Sequence, residues 1–62
     1  MGVVEVNMRV RCIDNRGVEE YLTIGRLYHI ITSRNKGKIY EIIDNENDSY
    51  LYPSIRFEEV EE

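Results

Sequence analysis

The chain has 62 residues, of which 12 are acidic and 8 are basic, and its formal net charge is −4. This length allows one small domain, in which the stabilisation from buried apolar area only narrowly exceeds the loss of chain entropy. The negative charge argues against a protein that grips a phosphate backbone through a basic stripe. Abundant valine and isoleucine, together with five tyrosines, favour strands over helices, so we expect an all-β protein.

Cys12 is the one cysteine of the sequence, which excludes an internal disulfide. Its position in an apolar alternation predicts a small core residue rather than a reactive thiol. The sequence shows neither a secretion signal nor an apolar run long enough to cross a bilayer. We therefore expect a cytoplasmic protein that does not associate with membranes.

The first predicted element is a strand in which apolar side chains occupy every second position. Successive side chains of a strand point to opposite faces, so this alternation predicts a half-buried strand. The alternating residues are Val4, Val6, Met8, Val10 and Cys12. Residues 14–21 then form a polar excursion with turn chemistry, in which Gly17 can adopt a positive φ.

The middle of the chain predicts two strands separated by a turn. The first is short and covers residues 22–24, where the apolar residues alternate. Gly25 then permits a sharp change of direction. The second strand, with Tyr28 and Ile30 facing inward, runs to about Thr32.

Polar loops and short strands are predicted towards the C-terminus. A basic loop at residues 33–38 leads into a strand with Tyr40 and Ile42 facing inward. Pro53 ends the strand after that, because proline cannot donate a ladder hydrogen bond. The predicted ranges are 39–43 and 50–52 for these two strands, 44–49 for the hairpin loop between them, 53–56 for a 3-10 turn and 57–60 for the last strand.

The order of these elements resembles the Src homology 3 fold over residues 8–60. The segment Tyr52-Pro53-Ser54-Ile55-Arg56-Phe57-Glu58-Glu59-Val60 looks like the family's aromatic-Pro-Ser-x-x-hydrophobic ending, and residues 22–30 look like its diverging turn. The chain is also similar to short barrels encoded by phages and prophages of Gram-positive bacteria.

The resemblance implies one Src-homology-3-like domain over residues 1–62. Its expected fold is a small all-β barrel of five to six strands, with the 3-10 turn before the last strand. Residues 1–7 could add an extra N-terminal strand, and residues 61–62 would form an acidic tail.

The residues with which this family binds proline-rich ligands are mostly replaced here. The tryptophan that clamps such ligands has no counterpart, since Lys38 or Ile39 takes its place. Arg56 stands where the family shows a tyrosine, and the stretch Asp14-Asn15-Arg16 replaces the tyrosines after the first strand. Of these aromatic and proline elements only Pro53 remains, so we do not expect binding to a polyproline II peptide.

No residue pattern predicts catalysis or a cofactor. His29 is the one histidine, and it falls on the outward phase of a strand without a serine or cysteine placed to complete a triad. One histidine and one cysteine at unrelated spacing do not make a zinc site. We therefore expect no metal site, no cofactor and no enzymatic activity.

The first functional hypothesis is a non-enzymatic module that binds one protein partner, which would be a host protein if the chain is phage-encoded. Tyr21, Tyr50 and Ile55 are apolar residues that the pattern does not place inside. With Arg56 they would make an aromatic and arginine patch of the kind enriched at interfaces, whereas ordinary partial burial is the alternative. The residues predicted to bind the partner are Tyr21, Ile39, Tyr50, Pro53, Ile55 and Arg56.

Two other hypotheses come from different classes. The basic residues Arg26, Arg34, Lys36 and Lys38 could bind nucleic acid with tyrosines as stacking groups, or they could simply be solvated. The other is a self-assembling structural protein, in which a strand over residues 3–6 pairs with a second copy; the expected state in solution is a monomer or a weak homodimer. The acidic segments at residues 19–20, 44–48 and 58–62 could solvate the protein, attract a basic partner or imitate nucleic acid.

Overall fold

The computed structural model describes residues 3–60, which form five antiparallel strands in one sheet. The all-β prediction is therefore confirmed. The strands are β1 (Val3–Cys12), β2 (Leu27–Arg34), β3 (Ile39–Ile43), β4 (Ser49–Pro53) and β5 (Phe57–Glu59), with a 3-10 turn (Ser54–Arg56) between the last two. Their order in the sheet is β4-β3-β2-β1-β5, so β4 and β5 form its edges and the sheet is not closed.

β1 pairs with a strand on each side. β2 pairs with it from Val3 to Arg11, and β5 pairs with its last three residues, from Val10 to Cys12. β1 begins at Val3, so residues 3–7 form its first part. Residues 1–2 and the acidic tail expected at 61–62 lie outside the described part of the chain.

The inner face of the sheet carries one core to which all five strands contribute. Its buried residues are Val10, Cys12, Leu22, Tyr28, Ile30, Ile42, Tyr52 and Phe57, with Met8, Val18 and Tyr40 packed against them. The core position predicted for Cys12 is confirmed. The inward positions of Tyr40 and Ile42 are confirmed as well, since Ile42 is fully buried and Tyr40 is half-buried against the core.

Phe57 lies among three tyrosine rings at the centre of this core. Its ring centroid is 6.3 Å from those of Tyr28 and Tyr52, both edge-on, and 6.1 Å from that of Tyr40. Aromatic pairs attract one another in tilted and edge-on arrangements at such distances. Because Tyr52 belongs to β4 and Phe57 to β5, the two edge strands of the sheet contact each other through these rings.

The strand predicted over residues 22–24 is wrong, because this part of the chain forms turns. The N–H groups of Tyr21 and Leu22 both donate to the carbonyl of Val18, at 2.9 and 3.0 Å. These local bonds take the donors that a ladder would need. Leu22 is fully buried whereas Ile24 is 54% exposed, so the two apolar residues do not share an inner face.

The predicted polar loop of residues 44–49 contains a buried carboxylate. Asp44 is 5% exposed, and its Oδ1 accepts hydrogen bonds from the N–H groups of Glu46 and Asp48 at 2.9 and 3.3 Å. The Tyr52 hydroxyl donates to Oδ2 at 3.0 Å. Burial, followed by the hydrogen bond to Asp44, raises the pKa of Tyr52, so its hydroxyl stays protonated and remains a donor.

We expect Tyr52→Phe to lower the free energy of unfolding by about 1.5–3 kcal/mol, because it removes a buried hydrogen bond to a charged group. Urea denaturation measures this loss. Tyr50→Phe is the matched control, since the Tyr50 ring is 56% exposed and its change should stay within about 0.5 kcal/mol. Equal effects of the two substitutions would show that the Tyr52–Asp44 bond does not stabilise the fold.

Candidate functional site

A groove with a volume of about 250 Å³ lies between β4 and the segment that joins β1 to β2. Its lining consists of Val18, Tyr21, Tyr50, Leu51 and Tyr52, and we call it the tyrosine groove. Tyr50 is 56% and Leu51 is 50% exposed. A concave surface with large exposed apolar side chains is typical of a binding site.

Two of the residues predicted to bind a partner face each other in this groove. The rings of Tyr21 and Tyr50 have centroids 6.4 Å apart and an interplanar angle of 53°. Tyr21 is 37% exposed, so both tyrosines are accessible to a partner. Tyrosines, which combine an apolar ring with a hydroxyl, are common at protein interfaces.

Asn45 holds Tyr21 in position. Its N–H donates to the carbonyl of Tyr21 at 2.8 Å, and its Nδ2 donates to Thr23 Oγ1 at 3.0 Å. Its Oδ1 accepts hydrogen bonds from the Tyr28 hydroxyl at 2.7 Å and from Arg26 Nη1 at 2.9 Å. One side chain thus joins the hairpin between β3 and β4 to the segment that carries Tyr21.

Arg56 holds the other end of the same segment. Its carbonyl accepts hydrogen bonds from the N–H groups of Ile13 and Asp14, at 2.8 and 3.2 Å. Its Nη1 donates to the Asp14 carbonyl at 3.2 Å and lies 3.6 Å from Asp14 Oδ1. The Arg56 side chain is 22% exposed, and its contacts fix the segment from within.

The remaining predicted partner-binding residues lie at the other end of β4. Ile39 is half-buried and pairs directly with Pro53, which is exposed, and Ile55 is 80% exposed. Tyr50 and Pro53 are three positions apart, which corresponds to about 10 Å along a strand. The predicted site therefore divides into an aromatic part at Tyr50 and an aliphatic part at Pro53.

The four basic residues considered for nucleic-acid binding do not lie together. Arg26 precedes β2, whereas Lys36 and Lys38 follow it. Eight residues of strand separate the two ends of β2, a distance of about 26 Å. Arg34 lies 3.6 Å from a carboxylate oxygen of Glu41 and is partly neutralised by it.

The segments that contribute the lining of the tyrosine groove are mainly acidic in sequence. In residues 18–26 and 44–52, the segments that border it, Arg26 is the one basic residue, and it is bound to Asn45. The exposed acidic residues in these segments are Glu19, Glu20, Glu46 and Asp48. Acidic residues therefore outnumber basic ones in these two segments.

Two reactive residue types lie away from the groove. Cys12 is fully buried, and burial raises the pKa of its thiol, so the thiolate is disfavoured. His29 is exposed on β2. Within residues 3–60, no three or more histidine, cysteine and acidic side chains are arranged to hold a metal ion, and no helix is long and apolar enough to cross a membrane.

Comparisons with known proteins add no relative. No protein-family model matches the chain, and no curated protein or solved structure matches it at a significant level.

Three residues of the site were not predicted from the sequence. Val18 lies within a polar segment, so its partial burial had no periodic signal. Leu51 lies between two tyrosines whose side chains point to the other face, and this alternation could have identified it as exposed. Asn45 is one of several polar residues in a hairpin loop, and no local pattern distinguishes a bridging asparagine from a solvated one.

We expect Asn45→Ala to weaken the connection between the two sides of the tyrosine groove. It removes three side-chain hydrogen bonds, so the free energy of unfolding should fall by about 2 kcal/mol. In NMR spectra, the cross-peaks between the Tyr21 and Tyr50 rings should weaken. Glu46→Ala is the control, since its side chain is exposed; equal losses in both variants would contradict the role of Asn45.

The hydrogen bonds from Arg16, with a smaller contribution from the charge of Arg56, hold the pKa of Asp14 below its usual value of 3.8. A lowered carboxyl pKa stabilises the folded state above the unfolded pKa, and this stabilisation is lost as the pH falls through the folded pKa. Between about pH 5 and pH 2, Asp14→Asn should therefore show a smaller loss of stability than the wild-type chain.

Chemical denaturation across this pH range measures the difference. Arg16→Ala should reproduce part of it, because Asp14 retains Arg56. Parallel pH profiles for the wild type and Asp14→Asn would refute the assignment.

Proposed function

We propose that this protein is a non-enzymatic interaction module that binds one protein partner at the tyrosine groove. The observation that carries the proposal is the pair of exposed tyrosine rings, Tyr21 and Tyr50, beside the exposed Leu51. Aromatic anchors in a concave site are the residues that most often dominate binding energy. Asn45 and Arg56 hold the groove in shape before a partner arrives, which lowers the entropy cost of binding.

The scaffold we propose is a small Src-homology-3-like barrel. The strand order, with β1 paired on both sides and a 3-10 turn between the edge strands, supports it. The contact between Tyr52 and Phe57 also supports it, because it requires the sheet to curl until its edges approach. We further propose a phage origin and a host partner in the cytoplasm, on the strength of the resemblance in the terminal segments.

The tyrosine groove differs from a proline-peptide site in its residue composition. It has no tryptophan, and the proline after β4 lies at the other end of that strand from Tyr50. We therefore propose a partner other than a proline-rich peptide. The wide separation of Arg26 from Lys36 and Lys38 likewise favours a protein partner over nucleic acid.

Affinity capture from a Gram-positive lysate tests the proposal. The immobilised chain should retain a protein, and Tyr21→Ala and Tyr50→Ala should each lower its recovery about tenfold or more, as expected for aromatic anchors. Lys36→Ala is the matched control, since Lys36 is exposed and remote from the groove. Capture should survive nuclease treatment.

Two outcomes would contradict the proposal. If neither tyrosine substitution changed the recovery, the partner would bind at another surface. Recovery that is abolished by nuclease, or by Lys36→Ala, would favour the nucleic-acid hypothesis.

A further inference from the structure

We propose that the partner enters the tyrosine groove as an extended basic segment, which pairs as an additional strand with the free edge of β4. This inference rests on the proposed function and specifies how the same site binds. It depends on three observations: the hydrogen-bonding phase of β4, the position of the groove along that edge, and the charge around it.

Hydrogen bonds at both ends of the β3–β4 hairpin show which residues of β4 direct their backbone groups towards β3. The Ser54 N–H donates to the Lys38 carbonyl at 2.8 Å, and the Asp44 N–H donates to the Asp48 carbonyl at 2.9 Å. In an antiparallel ladder, hydrogen-bonded pairs occur at every second position. The pairs formed by residues 40 and 52 and by residues 42 and 50 therefore also exchange hydrogen bonds.

The alternate residues of β4 direct their backbone groups away from β3. Ser49 and Leu51 each present one N–H and one carbonyl to the free edge, whereas Pro53 has no N–H and its carbonyl begins the 3-10 turn. Within residues 3–60, no strand pairs with this edge. A segment that pairs with it can form two complete hydrogen-bonded pairs, one with Ser49 and one with Leu51.

The tyrosine groove lies along this free edge. Tyr50, Leu51 and Tyr52 all line it, although successive side chains of a strand point to opposite faces. A groove that touches all three residues therefore has the strand edge as part of its wall. Partner residues opposite Tyr50 and Tyr52 would direct their side chains towards Val18 and Tyr21.

This geometry specifies that the part of the partner segment inside the groove is apolar and that its side chains alternate between two faces. Partner residues separated by two positions would fill the groove, and main-chain hydrogen bonds would supply the rest of the interaction. This mode of recognition is strand addition, in which the backbone gives affinity and the alternate side chains give specificity.

The charge of the groove selects a basic segment. Four exposed acidic residues lie in the two segments that line it, namely Glu19, Glu20, Glu46 and Asp48. Arg26 is the one basic residue of these segments, and it donates to the neutral Asn45 amide at 2.9 Å, so the negative charges are in excess. A second copy of this chain would bring the same four carboxylates against these, whereas lysine or arginine on both sides of the apolar residues would complement them.

The test uses a peptide in which Val-Thr-Val is flanked on each side by Lys-Arg. Isothermal titration and NMR should show that it binds the full chain, with the largest shift changes at Ser49, Leu51, Tyr21 and Tyr50. Hydrogen exchange at the Leu51 N–H should slow on binding. The affinity should fall as salt is raised, because the flanking charges are exposed.

Leu51→Pro and Leu51→Ala separate the backbone contribution from that of the side chain. The Leu51 N–H faces away from β3, so proline there removes no ladder bond, and Pro53 already occupies the same phase of this edge strand. Leu51→Pro should weaken peptide binding about fivefold or more relative to Leu51→Ala, as expected for the loss of one hydrogen bond. Should Leu51→Pro fail to fold, N-methylation of the peptide at the residues that pair with β4 makes the same test.

Several results would overturn the inference. They are equal binding of Leu51→Pro and Leu51→Ala, tolerance of the N-methyl groups, equal affinity for a peptide with glutamate in the flanks, and no binding of the basic peptide. Concentration-dependent dimerisation that Leu51→Pro abolishes would assign the edge to a second copy. In each case, partner capture that still depends on Tyr21 and Tyr50 would leave the proposed function standing.

Discussion

The surface of this protein depends on two adjacent polar side chains that follow β3. Asp44 points inward and accepts the Tyr52 hydroxyl and two backbone N–H groups. Asn45 points across to the segment between β1 and β2, where it bonds to Tyr21, Thr23 and Arg26, and it also accepts the Tyr28 hydroxyl of β2. The first residue closes the hairpin onto the core, and the second attaches a long segment to that hairpin. Together with the buried Leu22, which anchors the segment in the core, they set the position of Tyr21 relative to Tyr50.

The tyrosines of this short chain contribute both to the apolar core and to the hydrogen-bond network. Tyr28, Tyr40 and Tyr52 pack their rings around Phe57, where large aromatic side chains supply much of the apolar area that a small domain needs. The hydroxyls of Tyr28 and Tyr52 then reach Asn45 and Asp44. The core and the polar network are therefore connected through the same side chains, and the two remaining tyrosines, Tyr21 and Tyr50, line the tyrosine groove together with Tyr52.

The strands could be predicted where periodicity was long or where a turn signal was strong. β1 has five alternating apolar positions, and Pro53 marks the end of β4. The strand expected at residues 22–24 was wrong because three alternating residues carry little information. In the structure, the Leu22 N–H donates to the carbonyl of Val18 instead of to a neighbouring strand. The burial of Asp44 could not be predicted, since an inward carboxylate is stable only with donors that the fold brings together.

The candidate site was predicted in part. The exposure of Tyr21 and Tyr50 followed from their failure to fit an inward pattern, but their contact depends on Asn45, which no local pattern distinguishes. Arg56 was expected on the binding surface because arginine is common at interfaces, yet its guanidinium finds the Asp14 carbonyl within the molecule. A local sequence pattern does not identify hydrogen-bond partners that are far apart in the chain.

Pro53 has a consequence for the solubility of a protein with an open sheet. A free strand edge is a template on which further chains can stack, and natural proteins limit that growth with prolines, charges and short strands. β4 ends in a proline that offers no N–H, and β5 has three residues, two of them exposed glutamates. These features limit the growth of an intermolecular sheet from either edge. β4 still has enough free backbone groups to pair with one short segment.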